Sequence, residues 1–175
     1  MPVDPLAGWA EAARDGDPVA TSALVRATQS DVWRLCAAMV DAQEADDLAQ
    51  ETYLKALGSL RSYEGRAPFR LWLLGIARHT CTDHLRRRVR GRRLVVRLLS
   101  APVETAPDAS TSAGARDALA ALDADRRAAF ALTQLLGLSY DEAAEACGVP
   151  VGTIRSRVAR AREQLMTEHR RAESR

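Results

Sequence analysis

The sequence predicts an all-α protein made of two small helical domains joined by a flexible linker. Alanine, leucine and arginine, which favour helices, are abundant in a chain of 175 residues of which only 5% are aromatic. Apolar residues recur at helical spacing on both sides of residues 100–116, a stretch rich in Ala, Ser, Thr and Pro. We therefore expect domains at 1–99 and 117–175.

Four helices are expected in the first domain. Their predicted bounds are 7–14, 18–39, 42–57 and 69 to about 90, with a loop over 58–68. Pro18 suits the first turn of the second helix. The apolar stripe of the third helix is expected to consist of Ala45, Leu48, Ala49, Thr52, Ala56 and Leu57.

A helix-turn-helix is predicted in the second domain. Expected helices run over 117–122, 125–136, 140–147 and 151 to about 169. Ser139 and Glu142 have the spacing of a capping box, and Gly148 and Pro150 separate the last two helices.

Net charge alternates along the chain, although the whole chain carries only +2. Residues 1–60 carry −6 and residues 101–150 carry −5, whereas 61–100 carry +9 and 151–175 carry +4. A single arginine-rich face is often just solvated. Two basic blocks, each within a helical pattern, favour two binding sites for a polyanion such as nucleic acid.

The last helix has the pattern of a DNA-recognition helix. Its packed stripe is predicted to be Val151, Ile154, Val158, Ala161 and Leu165. The opposite face carries Arg155, Ser156, Ala159 and Arg160, flanked by Thr153 and Arg157. Arginine can read guanine in the major groove. The alternative is a solvated terminal helix of a bundle.

Aromatic residues precede the first basic block. Tyr63 lies in the predicted loop, Trp72 lies in the next helix, and arginines cluster over 86–93. Rings beside arginines suit single-stranded nucleic acid, because an unpaired base stacks on a ring while the cations contact the backbone. A base flipped from a melted duplex could enter the loop at 62–66. The alternative for Trp72 is a place in the core.

Motifs for catalysis, phosphate loops or cofactors are absent from the sequence, so no enzyme activity and no cofactor are expected. The three cysteines are too widely spaced for a disulfide framework and give no sign of a redox switch. His79, Cys81 and His84 offer metal ligands, but one side of a half-buried helix is the simpler interpretation. Asp46 and Asp47 diverge on a helix, which favours an acidic face for a partner over a metal site.

The apolar runs are too short to cross a membrane, and the N-terminus lacks a secretory signal pattern. The longest run, 71–77, is bounded by Arg70 and Arg78. We therefore expect a soluble, cytoplasmic protein without membrane insertion.

Three segments resemble regions of bacterial sigma factors of the extracytoplasmic-function class, also called group IV. Residues 44–57 resemble the region that binds core RNA polymerase, and residues 69–88 resemble the regions that melt and read the promoter −10 element. Residues 151–162 resemble the region that reads the −35 element. Within the class, residues 132–140 and 76–79 resemble the actinobacterial sigma-C subgroup.

This resemblance implies a promoter-specific initiation factor with two kinds of partner, core RNA polymerase and promoter DNA, the latter both as duplex and as melted non-template strand. The implied contacts to the β′ clamp helices of polymerase are Asp47, Gln50 and Glu51, and the β subunit is a further partner. The implied −35 contacts are Thr153, Arg155, Ser156, Arg157, Ala159 and Arg160. The implied −10 contacts are Ser62, Tyr63, Gly65, Arg66, Trp72, His79, Arg86, Arg87, Arg88 and Arg90.

His79 departs from the family pattern, in which many relatives have asparagine. It is expected either to pack against a helix or to alter promoter reading. Glu104 and Asp108 make the linker acidic, and we hypothesise that it mimics RNA in the exit path of polymerase. An anti-sigma factor, where one exists, would cover the polymerase-binding surface and enter between the domains.

Two other functions fit parts of the sequence. An ordinary helix-turn-helix regulator would bind duplex DNA without melting it, but would not need the acidic helix at 44–57 beside an arginine-rich helix. An adaptor that only sequesters polymerase would not need a recognition helix. An initiation factor accounts for all three segments.

Overall fold

The computed structural model describes residues 4–99 and 111–173, with side chains described over 4–90 and 116–171. These residues are helical apart from short connections. The helices are α1 (Ala7–Arg14), α2 (Pro18–Met39), α3 (Ala42–Ser59), α4 (Phe69–Leu99), α5 (Thr111–Ala121), α6 (Ala124–Phe130), α7 (Tyr140–Cys147) and α8 (Val151–Glu173). A 3₁₀ turn, Leu60–Ser62, follows α3, and a π turn, Ala131–Leu135, follows α6. Over the same residues, no helix is long and apolar enough to cross a bilayer.

Local capping explains several helix bounds that the sequence predicts correctly. The side chain of Asp17 accepts the amide hydrogen of Val19 at the start of α2, at 2.7 Å. Ser139 and Glu142 form the predicted capping box at the start of α7. Gly148 ends α7 in the left-handed conformation with φ of 64°, which glycine adopts without strain.

Several helices extend beyond their predicted bounds, and α4 and α5 do so by the most residues. α4 continues to Leu99, and α5 begins at Thr111, inside the segment predicted as linker. The alanines that made this segment look like a flexible linker also have the highest helix propensity, and here they continue into α5. The rest of that segment, with Glu104 and Asp108, lies outside the described residues.

The first helical unit packs α2, α3 and α4 around an aliphatic core. Leu35 and Leu73 are fully buried, and so are Leu48 and Ala56 on the inner face of α3. Leu57 was wrongly placed on this face, because its side chain is 39% exposed. Each helical residue turns about 100° from the one before it, so Leu57 points away from the side that buries Ala56.

The second unit packs α6, α7 and α8. Leu132, Ile154 and Val158 are buried at its centre. The helix predicted over 125–136 closes in a π turn, where the amide of Leu136 donates to the carbonyl of Ala131 at 3.0 Å.

The two units contact each other through α4 and α7. A Cβ on Gly75 in α4 would lie only 2.9 Å from the carbonyl oxygen of Ala146 in α7, so the helices approach as closely as glycine allows. Next to it, Arg78 donates to the carbonyl oxygen of Cys147 at 3.3 Å.

A second contact joins α2 to the other unit. Arg127 in α6 donates from Nη1 to the carbonyl oxygen of Met39, the last residue of α2, at 2.6 Å. Arg34 in α2 donates in the opposite direction, to the carbonyl oxygen of Leu135. Arginine side chains therefore cross the contact from both sides.

Candidate nucleic-acid and polymerase interfaces

The exposed face of α8 is a continuous basic surface. Ile154, Val158 and Ala161 are buried, which confirms most of the predicted packed stripe, while Leu165 is only half-buried. The opposite face is exposed as predicted, and its members are Arg155, Ser156, Ala159 and Arg160.

Arg155 and Arg160 are available to an incoming anion, since neither forms an ion pair within the described part of the chain. The hydroxyl of Ser156 donates to the carbonyl oxygen of Thr153 at 2.9 Å and so stays close to the helix. This leaves a shallow surface between the arginines, which suits close approach to a DNA groove.

Arg157 is engaged within the protein. Its Nη2 lies 3.0 Å from Oδ2 of Asp125 in α6, and its side chain is mostly buried. Thr153 is also only half-exposed. These two residues flank the recognition face, as the sequence predicts, but Arg157 must leave Asp125 before it can contact DNA.

Aromatic rings fix the loop before α4. Tyr63 packs edge-to-face against Phe69, with ring centroids 5.6 Å apart, and lies 5.0 Å from Trp72. The Tyr63 hydroxyl donates to the carbonyl oxygen of Ala67 at 2.8 Å, and burial raises its pKa to about 12. Tyr63 is only 8% exposed, so it shapes the loop and offers no free face for stacking.

A cavity of about 360 Å³ lies between this loop and α1. Its lining from the loop includes Gly65 and Arg66, and its lining from α1 includes Ala7, Ala10 and Glu11. Gly65 has φ of 69°, which turns the chain around the cavity. The contribution of α1 was missed in the sequence, although two alanines one turn apart on one helix face permit such an approach.

Ser62 and Trp72 do not line this cavity. The Ser62 hydroxyl donates to the carbonyl oxygen of Ser59 at 2.7 Å, and Trp72 is half-buried against the loop. Arg66 lines the cavity but is exposed and paired with Glu64. The loop therefore supplies the cavity with small residues such as Gly65 and Ala67 and with Tyr63, Glu64 and Arg66.

The arginine cluster of α4 divides into two groups. Arg86 and Arg90 are exposed. Arg88 turns towards α3, where Nη1 lies 2.6 Å from Oε2 of Glu44, and Arg87 lies 3.9 Å from Glu51. Arg86 lies 3.6 Å from Asp83 one turn earlier on the same helix, whereas Arg90 has no ion-pair partner among the described side chains.

The three potential metal ligands of α4 diverge. His79 is largely exposed, and its Nε2 lies 2.9 Å from Nη2 of Arg78. Desolvation of the covered part of its ring, followed by the charge of this guanidinium, lowers the pKa of His79. The thiol of Cys81 faces the core, 3.7 Å from that of Cys36, whereas His84 contacts a carboxylate of α3. Across the residues with described side chains, no group of three or more His, Cys, Asp or Glu could hold a metal ion.

The outer face of α3 is both acidic and apolar. Asp47 and Gln50 are exposed, and Glu51 is partly neutralised by Lys55 at 2.7 Å. Leu54, one turn further along, is 69% exposed. Together with Leu57 it adds apolar area to the predicted polymerase contacts. The sequence could have shown this, because Asp47, Gln50, Leu54 and Leu57 follow one another at intervals of three or four residues and therefore share one helix face.

The chain matches two protein-family models in the order expected for sigma factors. Sigma-70 region 2 matches residues 24–91, and sigma-70 region 4 matches residues 114–165. The first match covers α3 and most of α4, and the second covers most of α5, all of α6 and α7, and most of α8.

Curated relatives include a probable RNA polymerase sigma-C factor of Mycobacterium bovis and the extracytoplasmic-function sigma factor SigC of Mycobacterium tuberculosis. Each is 47% identical to this chain over 163 residues, which cover 89% of this chain and 86% of the relative. An RNA polymerase sigma-H factor of Pseudomonas aeruginosa is 33% identical and covers 89% of both chains.

Two solved structures share the fold. One is CnrH bound to the cytosolic domain of CnrY, with a TM-score of 0.69, 26% identity, and coverage of 91% of this chain and 93% of that one. The other is RpoE of Bartonella quintana bound to the anti-sigma factor NepR, with a TM-score of 0.70, 28% identity, and coverage of 85% and 96%. On these matches and this fold, the chain belongs to the extracytoplasmic-function sigma factors of the actinobacterial SigC type, which are promoter-specific initiation subunits of RNA polymerase.

Proposed function

We propose that this sigma factor reads the −35 element with the exposed face of α8 and captures an unpaired −10 base in the cavity between α1 and the loop before α4. The observation that carries the proposal is the exposed face of α8, where Arg155 and Arg160 form no ion pair with any described side chain. A helix-turn-helix places such a face in the major groove.

The −10 step rests on the cavity and on the arginines beyond it. A volume of about 360 Å³ is large enough for a single base, and α1 contributes the small residues Ala7 and Ala10 to its wall. Arg86 and Arg90 lie further along α4 and would hold backbone phosphates. We assign Tyr63 and Trp72 to positioning this loop.

The polymerase step rests on α3. Asp47, Gln50 and Glu51 would meet basic groups of the β′ clamp helices, and Leu54 would add a desolvated apolar anchor. Apolar anchors at the centre of an interface commonly carry much of the binding free energy.

The chain would act as a dissociable subunit in the cytoplasm, without bond chemistry of its own. Residues 1–99 would form the core-binding and −10 domain, and residues 117–175 the −35 domain. Since the solved relative from Bartonella quintana is bound to an anti-sigma factor, we also propose that a protein inhibitor covers the α3 surface of this chain.

The test is run-off transcription by reconstituted polymerase on a promoter library, with permanganate detection of unpaired thymines. Wild-type protein should produce transcripts and opening from a shared two-box promoter. Arg155→Ala with Arg160→Ala should lose selectivity for the upstream box, whereas Arg171→Ala, an exposed change near the end of the same helix, should not. Duplex binding without transcripts would instead indicate an ordinary regulator, and unchanged activity of the double variant would indicate an adaptor.

A further inference from the structure

Two adjoining cavities, both open to solvent, lie at the contact between the two helical units. One has a volume of about 260 Å³ and the other about 520 Å³. They share four lining residues, which are Leu85, Val89, Ala120 and Arg127. Because α4 supplies two of these residues while α5 and α6 supply the others, both cavities exist only when the units are in contact.

Arg127 brings to both cavities a buried positive charge that has no direct ion-pair partner among the described side chains. Its Nη2 donates to the carbonyl oxygens of Ala120 at 2.5 Å and Leu122 at 3.1 Å, and its Nη1 donates to Met39. Its Nε is buried without an acceptor, and no carboxylate in the described structure pairs with the guanidinium. Burial lowers the pKa of Arg127. A buried cation that contacts only carbonyl dipoles is stabilised by an anion placed beside it.

Two more arginines line the smaller cavity. Arg116 comes from α5 and has no ion-pair partner among the described side chains, whereas Arg88 comes from α4 and is paired with Glu44. Asp41 is the one carboxylate among the described lining residues, and it lies 3.6 Å from Arg88. Arg116 and Arg127 are therefore the guanidinium groups of the described lining that have no ion-pair partner. Guanidinium groups bind phosphate by paired, charge-assisted hydrogen bonds.

The larger cavity has an apolar floor. Leu85, Val89 and Leu122 line it, and Val89 is 49% exposed although it is aliphatic. Arg86 and Asp123 lie at its edge. An exposed aliphatic residue in a groove of this size offers a surface for a flat ring.

We propose that these adjoining cavities bind a small ligand that joins a phosphate group to an apolar ring, as a nucleotide does. The phosphate would lie beside Arg116 and Arg127 in the smaller cavity, and the ring would lie against Val89 in the larger one. Since the walls come from both units, the ligand binds the contacting arrangement and stabilises it over the separated one.

Calorimetry on the full chain, without polymerase or DNA, provides the test. Adenosine 5′-monophosphate, adenosine and inorganic phosphate are titrated at constant ionic strength. The monophosphate should bind saturably, at one site per chain, more tightly than either of its parts. Arg116→Gln and Val89→Ser should each weaken it by about tenfold. Arg26→Gln, which removes an exposed arginine of α2 that lines neither cavity, should leave it unchanged.

Three outcomes would overturn the proposal. They are the absence of saturable binding by the wild-type chain, an equal loss in Arg26→Gln and Arg116→Gln, and equal affinity for phosphate alone and the monophosphate. Hydrogen exchange gives a second readout, because the ligand should slow exchange of the α5 amides in wild type and not in Arg116→Gln. Arg116→Gln and Val89→Ser each change an exposed side chain, so both variants should fold.

Discussion

Asp125 and Arg157 form an ion pair of 3.0 Å between α6 and α8, and the same carboxylate lies 3.6 Å from Arg78 in α4. One acceptor therefore connects a residue that flanks the −35 reading face to the helix that carries the −10 candidates. Arg78 in α4 and Arg157 in α8 therefore share this carboxylate as an ion-pair partner. A change that loosens the contact between the units should remove Arg78 from Asp125 and leave Asp125 to pair with Arg157 alone, which should hold Arg157 more firmly.

Gly75→Ala should loosen the contact between the units. The added Cβ would lie 2.9 Å from the carbonyl oxygen of Ala146, a backbone atom that can move only if α7 moves. We expect faster hydrogen exchange in α7 and a larger radius of gyration, with the α2 to α4 bundle still folded. Gly58→Ala is the matched control, because a Cβ there meets open space in α3. Identical exchange in both variants would contradict the close approach of α4 and α7.

Leu54→Ala should weaken binding to core polymerase without destabilising the free chain. Its side chain is 69% exposed and contributes little to the core, but truncation of an apolar anchor in an interface costs about 1–2 kcal/mol, or roughly tenfold in Kd. Val19→Ala removes a similarly exposed aliphatic side chain from the first turn of α2. Titration of each labelled variant with core polymerase measures the two Kd values. An equal change in Kd for Leu54→Ala and Val19→Ala would show that Leu54 is not part of the interface.

Asp4→Ala should destabilise the first unit by about 1 kcal/mol. Its Oδ2 accepts the amide hydrogen of Phe69 at 2.7 Å, and its Oδ1 accepts that of Leu6 at 3.0 Å, so one carboxylate caps α4 and holds α1 beside the loop. Urea unfolding would measure the loss. Asp15→Ala, which removes an exposed carboxylate at the end of α1, should change stability by less than about 0.5 kcal/mol. Equal losses in the two variants would show that the cap contributes nothing.

Local patterns made the helices and the recognition face predictable. The capping box at Ser139 and the apolar spacing through Ile154 and Val158 depend on residues within a few positions of each other. The exposure of Arg155 and Arg160 follows from that spacing, because the residues between the buried positions of a helix lie on its opposite face.

Features that depend on distant residues were not predictable. Leu57 fits an apolar stripe by spacing, yet no neighbouring helix covers it. The approach of α1 to the loop, and of Gly75 to Ala146, depends on how separate helices pack, which composition does not encode. An arginine such as Arg127 is expected at the surface from its sequence, but its guanidinium donates to the carbonyl oxygen of Met39 across the contact between the units.

Glu142 should give α7 a stability that depends on pH. The backbone amide of Ser139 donates to its Oε2 at 2.8 Å, and this bond and the Ser139 side chain lower the pKa of Glu142 below its usual value of 4.5. A lowered pKa in the folded state means that the stabilisation is present above pH 4.5 and is lost as pH falls through the lowered value. Glu142→Gln should therefore be less stable than wild type at pH 7, by about 0.5 kcal/mol, and the difference should vanish in acid.

Glu145→Gln is the control, and it should be more stable than wild type at pH 7, because a carboxylate in the last turn of α7 interacts unfavourably with the helix dipole. Urea unfolding from pH 3 to 7 measures both, and a pH-independent difference for Glu142→Gln would rule out a charged cap.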